Sequence, residues 1–320
     1  MDARKMWKDM TLGRKISLGF LLIMLLVVVI GGVSIINMQR ISKGTQSLTK
    51  TFLPSSNAGY ELEHTWAMLM EAAHRYDLTG DGFYYNNVKG HYAETKRLLD
   101  KLGSLMLKDR ALQKENGKIQ AIKAQVSDYE LILRAYHEMM KKQMVYQGQY
   151  QQALAQSRKA AKEITDSLQA GQWPRTVYSQ TRDKQRLEAL MLRLNSVALQ
   201  IRQAVDQRNI RLLDGVGAKV DELAQALETQ PQAMQSRYKR LISPLTTWAG
   251  VADDFVAQYK TARTKELERL QQAEMIQGNI MESSDIGADQ ILQTSSTVED
   301  IIRYSVRWFV IILAFILLFG

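Results

Sequence analysis

The sequence predicts an all-α protein: two stacked four-helix bundles sharing two long helices, flanked by two transmembrane helices. Three observations lead there. Only 19 glycines and 4 prolines occur in 320 residues, while Ala, Leu, Gln, Glu, Lys and Arg are abundant, a composition that favours helix over loop and strand. Apolar residues recur at three- and four-residue steps over long stretches, the period of a helix with one buried face. Residues 16–36 form a run of 21 without a charge, about 30 Å of helix, enough to cross the hydrocarbon core of a bilayer.

That run exceeds the roughly 7–15 residues of a signal-peptide core. It passes into Asn37-Met38-Gln39-Arg40 with no small-residue cleavage site, so it reads as an uncleaved anchor. Arg4, Lys5, Lys8, Arg14 and Lys15 precede it, against Asp2 and Asp9. Positive flanks stay cytoplasmic, which makes residues 1–15 an internal tail and brings residue 37 out on the other side. Residues 306–320 are apolar again, with Trp308 where an interfacial aromatic sits. They are too short to complete a crossing and read as the start of a second transmembrane helix cut off where the sequence ends. Residues 37–305 are then an external domain tethered at both ends.

The first helix of this domain runs from the anchor to about residue 78, interrupted or kinked at Pro54, with Leu62, Trp66, Leu69, Ala73 and Tyr76 inward. Thr79-Gly80-Asp81-Gly82 turns the chain into a second helix, about 83–107, with Leu98, Leu99 and Leu102 inward. The third carries Ile119, Ile122, Val126, Tyr129, Leu133, Tyr136 and Met140 and continues to about residue 170, where Gly171-Gln172-Trp173-Pro174 stops it. That is roughly 55–60 residues, or ~85 Å. The fourth presents Leu187, Leu190, Leu194, Val197, Ile201 and Val205 on one face. Asp214-Gly215-Val216-Gly217 leads to a short fifth helix, 218–227. The sixth starts near Pro231, is expected to kink at Pro244, and carries Tyr238, Leu241, Leu245, Trp248, Val251, Phe255 and Tyr259 toward the second anchor.

The two halves look related. Tyr129 and Tyr136 lie seven residues apart on the third helix, as do Trp248 and Phe255 on the sixth, and Asp81-Gly82 and Asp214-Gly215 each close a turn between a long helix and a shorter one. Each half is helix, turn, shorter helix, very long helix, as a duplication gives. With both ends at the membrane, the closing path sets the first two helices against the lower parts of the third and sixth. The fourth and fifth then lie against their upper parts, and every apolar stripe is buried.

The net charge is +9, of which the tail supplies +3, five basic minus two acidic residues. Elsewhere acids and bases alternate along helices and form no stripe, which argues against nucleic acid. Cysteine is absent; this rules out disulfides and thiolate metal sites and fits a periplasmic domain held by its core. No G-x-S-x-G elbow, P-loop or H-E-x-x-H occurs, and His64, His74, His91 and His137 are scattered over three helices. Asp81-Gly82 lacks the alternating oxygen ligands of a calcium loop. The chain reads as a sensor or structural module, not an enzyme, with no cofactor and no metal.

Residues 72–88, AAHRYDLTGDGFYYNNV, and 129–140, YELILRAYHEMM, resemble the helical bimodular sensor domain of bacterial transmembrane chemoreceptors (methyl-accepting chemotaxis proteins) and sensor kinases. The first matches that family's arginine-containing, aromatic, Leu-x-Gly-Asp turn, the second its Tyr-plus-seven aromatic pattern. The family usually places an acidic residue and a lysine just before the turn aromatic, where this chain has Ala73 and His74. The resemblance spans about residues 37–305 and implies a periplasmic domain of a protein in the bacterial inner membrane. It further implies sensing of small organic anions, typically carboxylates, with the signal passed through the second membrane helix to cytoplasmic partners outside this segment.

An anion site needs cations at inward helix phases, and arginine's planar fork matches a carboxylate. Arg208 continues the stripe 194, 197, 201, 205 where a leucine is expected, and Arg202 flanks that face. Superposing the two Asp-Gly turns, at an offset of 133, sets Arg208 on Arg75, with His74 beside it and Arg134 approaching between Tyr129 and Tyr136. The candidate ligand-binding set is therefore Arg75, His74, Arg134, Tyr129, Arg202 and Arg208. The alternative is that the arginines snorkel outward or pair with acids near the turns. A homodimer packed along the first and sixth helices is expected. A second function class also stands: the input domain of a sensor kinase, or a docking surface for a ligand-loaded binding protein, marked by an exposed apolar patch instead of a charged cavity.

Overall fold

The protein, seen in a computed structural model that describes residues 11–170, 177–228 and 232–319, is all-α, with no strand among the described residues. Helix α1 (Leu12–Ser47) passes through a π-helical turn (Leu48–Phe52) into α2 (Leu53–Thr79). Then follow α3 (Gly82–Met106), a single-turn α4 (Arg110–Gln113) and α5 (Asn116–Gln169). After α6 (Val177–Asp206) a 3-10 turn (Ile210–Leu213) leads to α7 (Val216–Glu228) and α8 (Gln232–Phe319). Across the π turn, Leu12–Thr79 is long and apolar enough to cross a membrane, its apolar window is not covered by the rest of the chain, and it is the one such helix among the described residues. The tail cations Arg4, Lys5 and Lys8, the stop at 171–174 and Pro231 lie outside the described residues.

Pro54 acts just upstream of itself. Lacking an N–H, it cannot serve the carbonyl one turn back. The chain widens before it, and Leu53 donates to the Leu48 carbonyl, five residues back. A π turn inside a long helix absorbs one extra residue without ending the helix. At Pro244, by contrast, α8 stays α-helical throughout, and the Ser157 hydroxyl donates to the Pro244 carbonyl at 2.9 Å.

The chain divides into two compact units. Unit 1 holds Met1–Leu69, Gly90–Val126 and Ile276–Gly320. Its core joins Leu62, Trp66 and Leu69 of α2, Leu98, Leu99 and Leu102 of α3, Ile119, Ile122 and Val126 of α5, and Ile276 and Ile280 of α8. Small residues let α2 and α8 approach closely: a Cβ on Gly59 would lie 2.9 Å from Ser284 Cα, and one on Gly287 3.1 Å from Ser56 Cα. Toward the chain ends, Asn37 donates to Ser305 Oγ at 2.8 Å, and Val306, Trp308, Phe309, Val310 and Ile311 are exposed at the end of α8.

Unit 2 holds Met70–Lys89 and Ser127–Met275. Its main core joins Tyr150 and Leu154 of α5, Leu194, Val197, Ile201 and Ala204 of α6, Val220 and Leu223 of α7, and Trp248, Phe255 and Tyr259 of α8. A smaller cluster gathers Tyr76, Tyr136 and Met140, with Tyr84 and Tyr85 packed against it.

The expected inward stripe of the fourth helix needs two corrections. Its last buried position is Ala204, with Val205 half-buried, and α6 ends at Asp206, so Arg208 is not on a helix. Arg208 has φ 52°, the one left-handed non-glycine residue among those described. Its N–H bonds the Val205 carbonyl at 3.1 Å, and Asn209 N–H bonds the Ala204 carbonyl at 2.9 Å. Those paired bonds are a Schellman end, with Arg208 in the slot that glycine usually fills. Glycine does fill it at the end of α2, where Gly80 has φ 67° and bonds the Tyr76 carbonyl. The structural counterpart of Arg208 is thus Gly80, not the Arg75 that matching the Asp-Gly pairs selects.

Candidate ligand cleft and its buried charges

Turns and helix phases converge in unit 2 on one charged cleft. Asp77 follows Tyr76 on the inward side of α2, four residues after Ala73, and is buried as those two are. On α8 the inward phase of Phe255 and Tyr259 repeats every seven residues as Ala262, Arg269, Ile276 and as Glu266, Ala273, Ile280, all buried. Two charged side chains therefore occupy core positions of a regular helix.

Arg269 and Asp77 form a buried ion pair through Nη2 and Oδ2, each side chain 1% exposed. Arg269 Nη1 also donates to Tyr129 Oη at 3.0 Å, and its guanidinium carbon lies 5.3 Å from the centre of the Tyr136 ring. Glu266, with its side chain 6% exposed, is held by two arginines: Arg208 at 2.8 Å and Arg263 in direct contact. Arg208 Nη2 reaches the Asp77 carbonyl as well, at 3.3 Å. Arg208 makes these contacts from the αL position just beyond the end of α6.

These groups line a cleft of about 340 Å³ in which Asp77, Glu266, Arg208 and Arg263 face Tyr136 and Tyr259. Burial pushes the Asp77 carboxyl up to about 6, against the opposing pull of Arg269. Burial likewise raises the Tyr136 and Tyr259 hydroxyls, which stay neutral donors. Asp77 Oδ1 is buried and in no well-formed hydrogen bond, with the Tyr136 hydroxyl acting on the carboxyl from across the cleft. The cleft thus offers two guanidinium groups, two buried carboxylates with a third, Asp206, exposed at its rim, and two phenols.

Of the six residues singled out from the sequence, the structure brings two to this cluster. Arg208 lines the cleft, and Tyr129 is buried behind it on Arg269. The inward placement expected for the others does not occur. Arg75 is exposed, bonding Glu71 at 2.7 Å, because its phase on α2 lies off the buried stripe; His74 beside it is exposed too. Arg134 is exposed and pairs with Glu130 one turn away. Arg202 is exposed and lies 3.5 Å from Asp206, on the edge of a separate cleft floored by Tyr150 and Phe255. Asp77, Arg263, Glu266 and Arg269 escaped the sequence reading. For Glu266 and Arg269 the signal was the seven-residue spacing beyond Phe255 and Tyr259, hidden in a stretch dense with charge, TARTKELERL; Asp77 and Arg263 carried no such signal. No family model and no curated protein matches this chain.

Proposed function

We propose that the chain is the extracytoplasmic sensor region of a membrane chemoreceptor, binding a small organic anion in the unit 2 cleft and signalling through α8. The observation that carries this is Arg208. A helix end that glycine serves best instead holds an arginine in left-handed backbone, and its guanidinium is turned into a cleft of small-molecule size. Backbone strain of this kind costs about 1–2 kcal/mol and persists where the side chain is needed. Glu266 and Arg269 belong to α8, so a ligand that repartners them acts directly on the helix that runs to the C-terminal apolar segment.

In this reading the units are two stacked four-helix bundles sharing α5 and α8. Residues 1–15 are cytoplasmic, 16–36 cross the bacterial inner membrane, 37–305 are periplasmic, and 306–320 begin a second crossing. The active form is a homodimer packed along α2 and α8. A ligand that binds only the folded state raises stability by about 2.7 kcal/mol at a hundred times its dissociation constant. The test is melting of the full chain in detergent against carboxylates, amino acids and inorganic anions. A rise in Tm with at least one organic acid is expected; a flat response to all of them sinks the reading. Orientation is tested separately, with a reporter enzyme active only outside the cytoplasm: fused after residue 150 it works, fused before residue 16 it does not.

A further inference from the structure

We infer that the ligand of this cleft carries a primary ammonium as well as a carboxylate, an amino acid in the broad sense. The inference rests on the reading above that the cleft binds a small organic anion, and it narrows the class.

The cleft's charge balance is the starting point. Arg208 and Arg263 are already occupied by Glu266, an internal carboxylate in the place a ligand carboxylate would take. A ligand bearing only negative charge that takes the Arg208 fork strips Glu266 of one of its two arginines and adds an uncompensated negative charge beside it. Unbalanced charge of that kind is what burial penalises. A ligand that brings its own cation avoids this, because its ammonium becomes the new partner of Glu266 while its carboxylate takes the arginine fork. No net charge is added to the cleft in the exchange.

A second observation points to the same cation. Asp77 lines the cleft with Oδ1 buried and in no well-formed hydrogen bond, although the Tyr136 hydroxyl acts on the carboxyl and Oδ2 is held by Arg269. A carboxylate oxygen only accepts, and an ammonium supplies three donors within a compact radius. Glu266 and Asp77 then hold the ammonium from two sides. Arg208, on the more exposed rim at 27%, takes the carboxylate, with the fork geometry that suits it. Tyr136 and Tyr259, facing the same space, supply aromatic surface on which an ammonium is also favoured.

The test sets amino acids against their own carbon skeletons without the amine. The standard amino acids, β-alanine and 4-aminobutyrate are titrated calorimetrically into the full chain in detergent. Each is paired with its deaminated acid, such as succinate for aspartate and glutarate for glutamate, and putrescine serves as an amine without a carboxylate. At least one amino acid is expected to bind ten times tighter than its deaminated partner and than putrescine. In Glu266→Gln, whose unliganded melting reports that it folds, that preference falls at least tenfold. Deaminated acids binding as tightly as their amino acids would overturn this inference while leaving the organic-anion reading intact. Putrescine binding as tightly overturns both, as does binding by none of the panel. An amino-acid preference unchanged in Glu266→Gln overturns the role given to this cleft.

Discussion

In unit 1 the buried polar side chains are hydroxyls, Thr51, Ser55, Ser56, Thr95, Ser283 and Ser284; in unit 2 they include Asp77, Glu266 and Arg269. Two of these hydroxyls are served by their own helices: Thr95 donates to the His91 carbonyl at 2.8 Å, and Ser284 to the Met281 carbonyl at 2.9 Å. They are small, and their use is geometric, since Ser56 and Ser284 sit where α2 and α8 come closest. Charges have no such local outlet. Asp77 on α2 needs Arg269 on α8, which in turn needs Tyr129 on α5. One unit uses its buried polar groups to bring helices together, and the other uses them to hold charge that a core does not need. Buried ion pairs add little net stability compared with apolar packing. Among the described residues, buried charged side chains occur in unit 2 alone, which is where the proposed ligand cleft lies.

The largest effect should come from breaking the buried pair. Arg269→Leu leaves Asp77 as an uncompensated buried carboxylate and should cost about 3–5 kcal/mol at pH 7. Asp77→Leu/Arg269→Leu, which removes both charges, should recover most of that loss. Thermal melting of the two single variants and the double variant measures it. If the double variant is as unstable as Arg269→Leu, the pair is packing material and the contrast between the units fails.

Titration of Asp77 comes next. Its folded pKa, about 6, lies above the unfolded value near 4. Between those two values the native chain holds a proton that the unfolded chain has released. The stability Asp77 contributes is therefore fully present below about pH 4 and lost as pH rises through 6, an effect on the order of 2–3 kcal/mol. The stability–pH curve of the wild type should fall over that window more steeply than that of Asp77→Asn. Equal slopes would mean the Asp77 carboxyl is not shifted.

Unit 1 has its own sharp test. A methyl at Gly59 meets backbone and not a movable side-chain tip. Gly59→Ala should lose up to about 2 kcal/mol, after the roughly 1 kcal/mol that alanine gains in a helix is subtracted from the overpacking cost of about 1–3 kcal/mol. Gly90, also helical but with open space around its Cβ position, should gain from the same change by up to about 1 kcal/mol. Opposite signs at the two glycines, read from denaturant midpoints, confirm that close approach is the purpose of unit 1's small residues.

Most of the helices were legible in the sequence, because their signals are periodic and redundant. Leu62, Trp66 and Leu69 repeat an inward phase that nothing contradicts, and the end of α5 falls within a residue or two of its expected place. The π turn before Pro54 was visible only as an interruption, since proline says that a bond is missing but not how the chain absorbs the loss. The site was half legible. Arg208 stood out by its spacing, yet the spacing assumed two more residues of helix than α6 has. The residue reaches the cleft from a left-handed cap that no stripe encodes. Arg269 and Glu266 did lie on a stripe, and charge masked them: a heptad scan looks for leucine, and a buried arginine is justified only by Asp77 and Tyr129, which come from distant parts of the chain.

The smallest expected effect bears on the cap. Arg208→Gly removes a guanidinium that contacts Glu266 and the Asp77 carbonyl, but it also relieves left-handed strain of about 1–2 kcal/mol. A partly exposed ion pair contributes about 0–1 kcal/mol, and Glu266 keeps Arg263 as a partner. The unliganded variant should be as stable as wild type or up to about 1 kcal/mol more stable. The converse change, Gly80→Ala, imposes the left-handed strain at the matching helix end and crowds Met144 Sδ at 2.9 Å; it should cost at least as much as Arg208→Gly gains. If Arg208 were a structural cap, its replacement would instead lower the melting temperature. Stability kept or raised, together with loss of ligand-induced stabilisation, is the pair of outcomes that places Arg208 in the cleft for its side chain and not for its backbone.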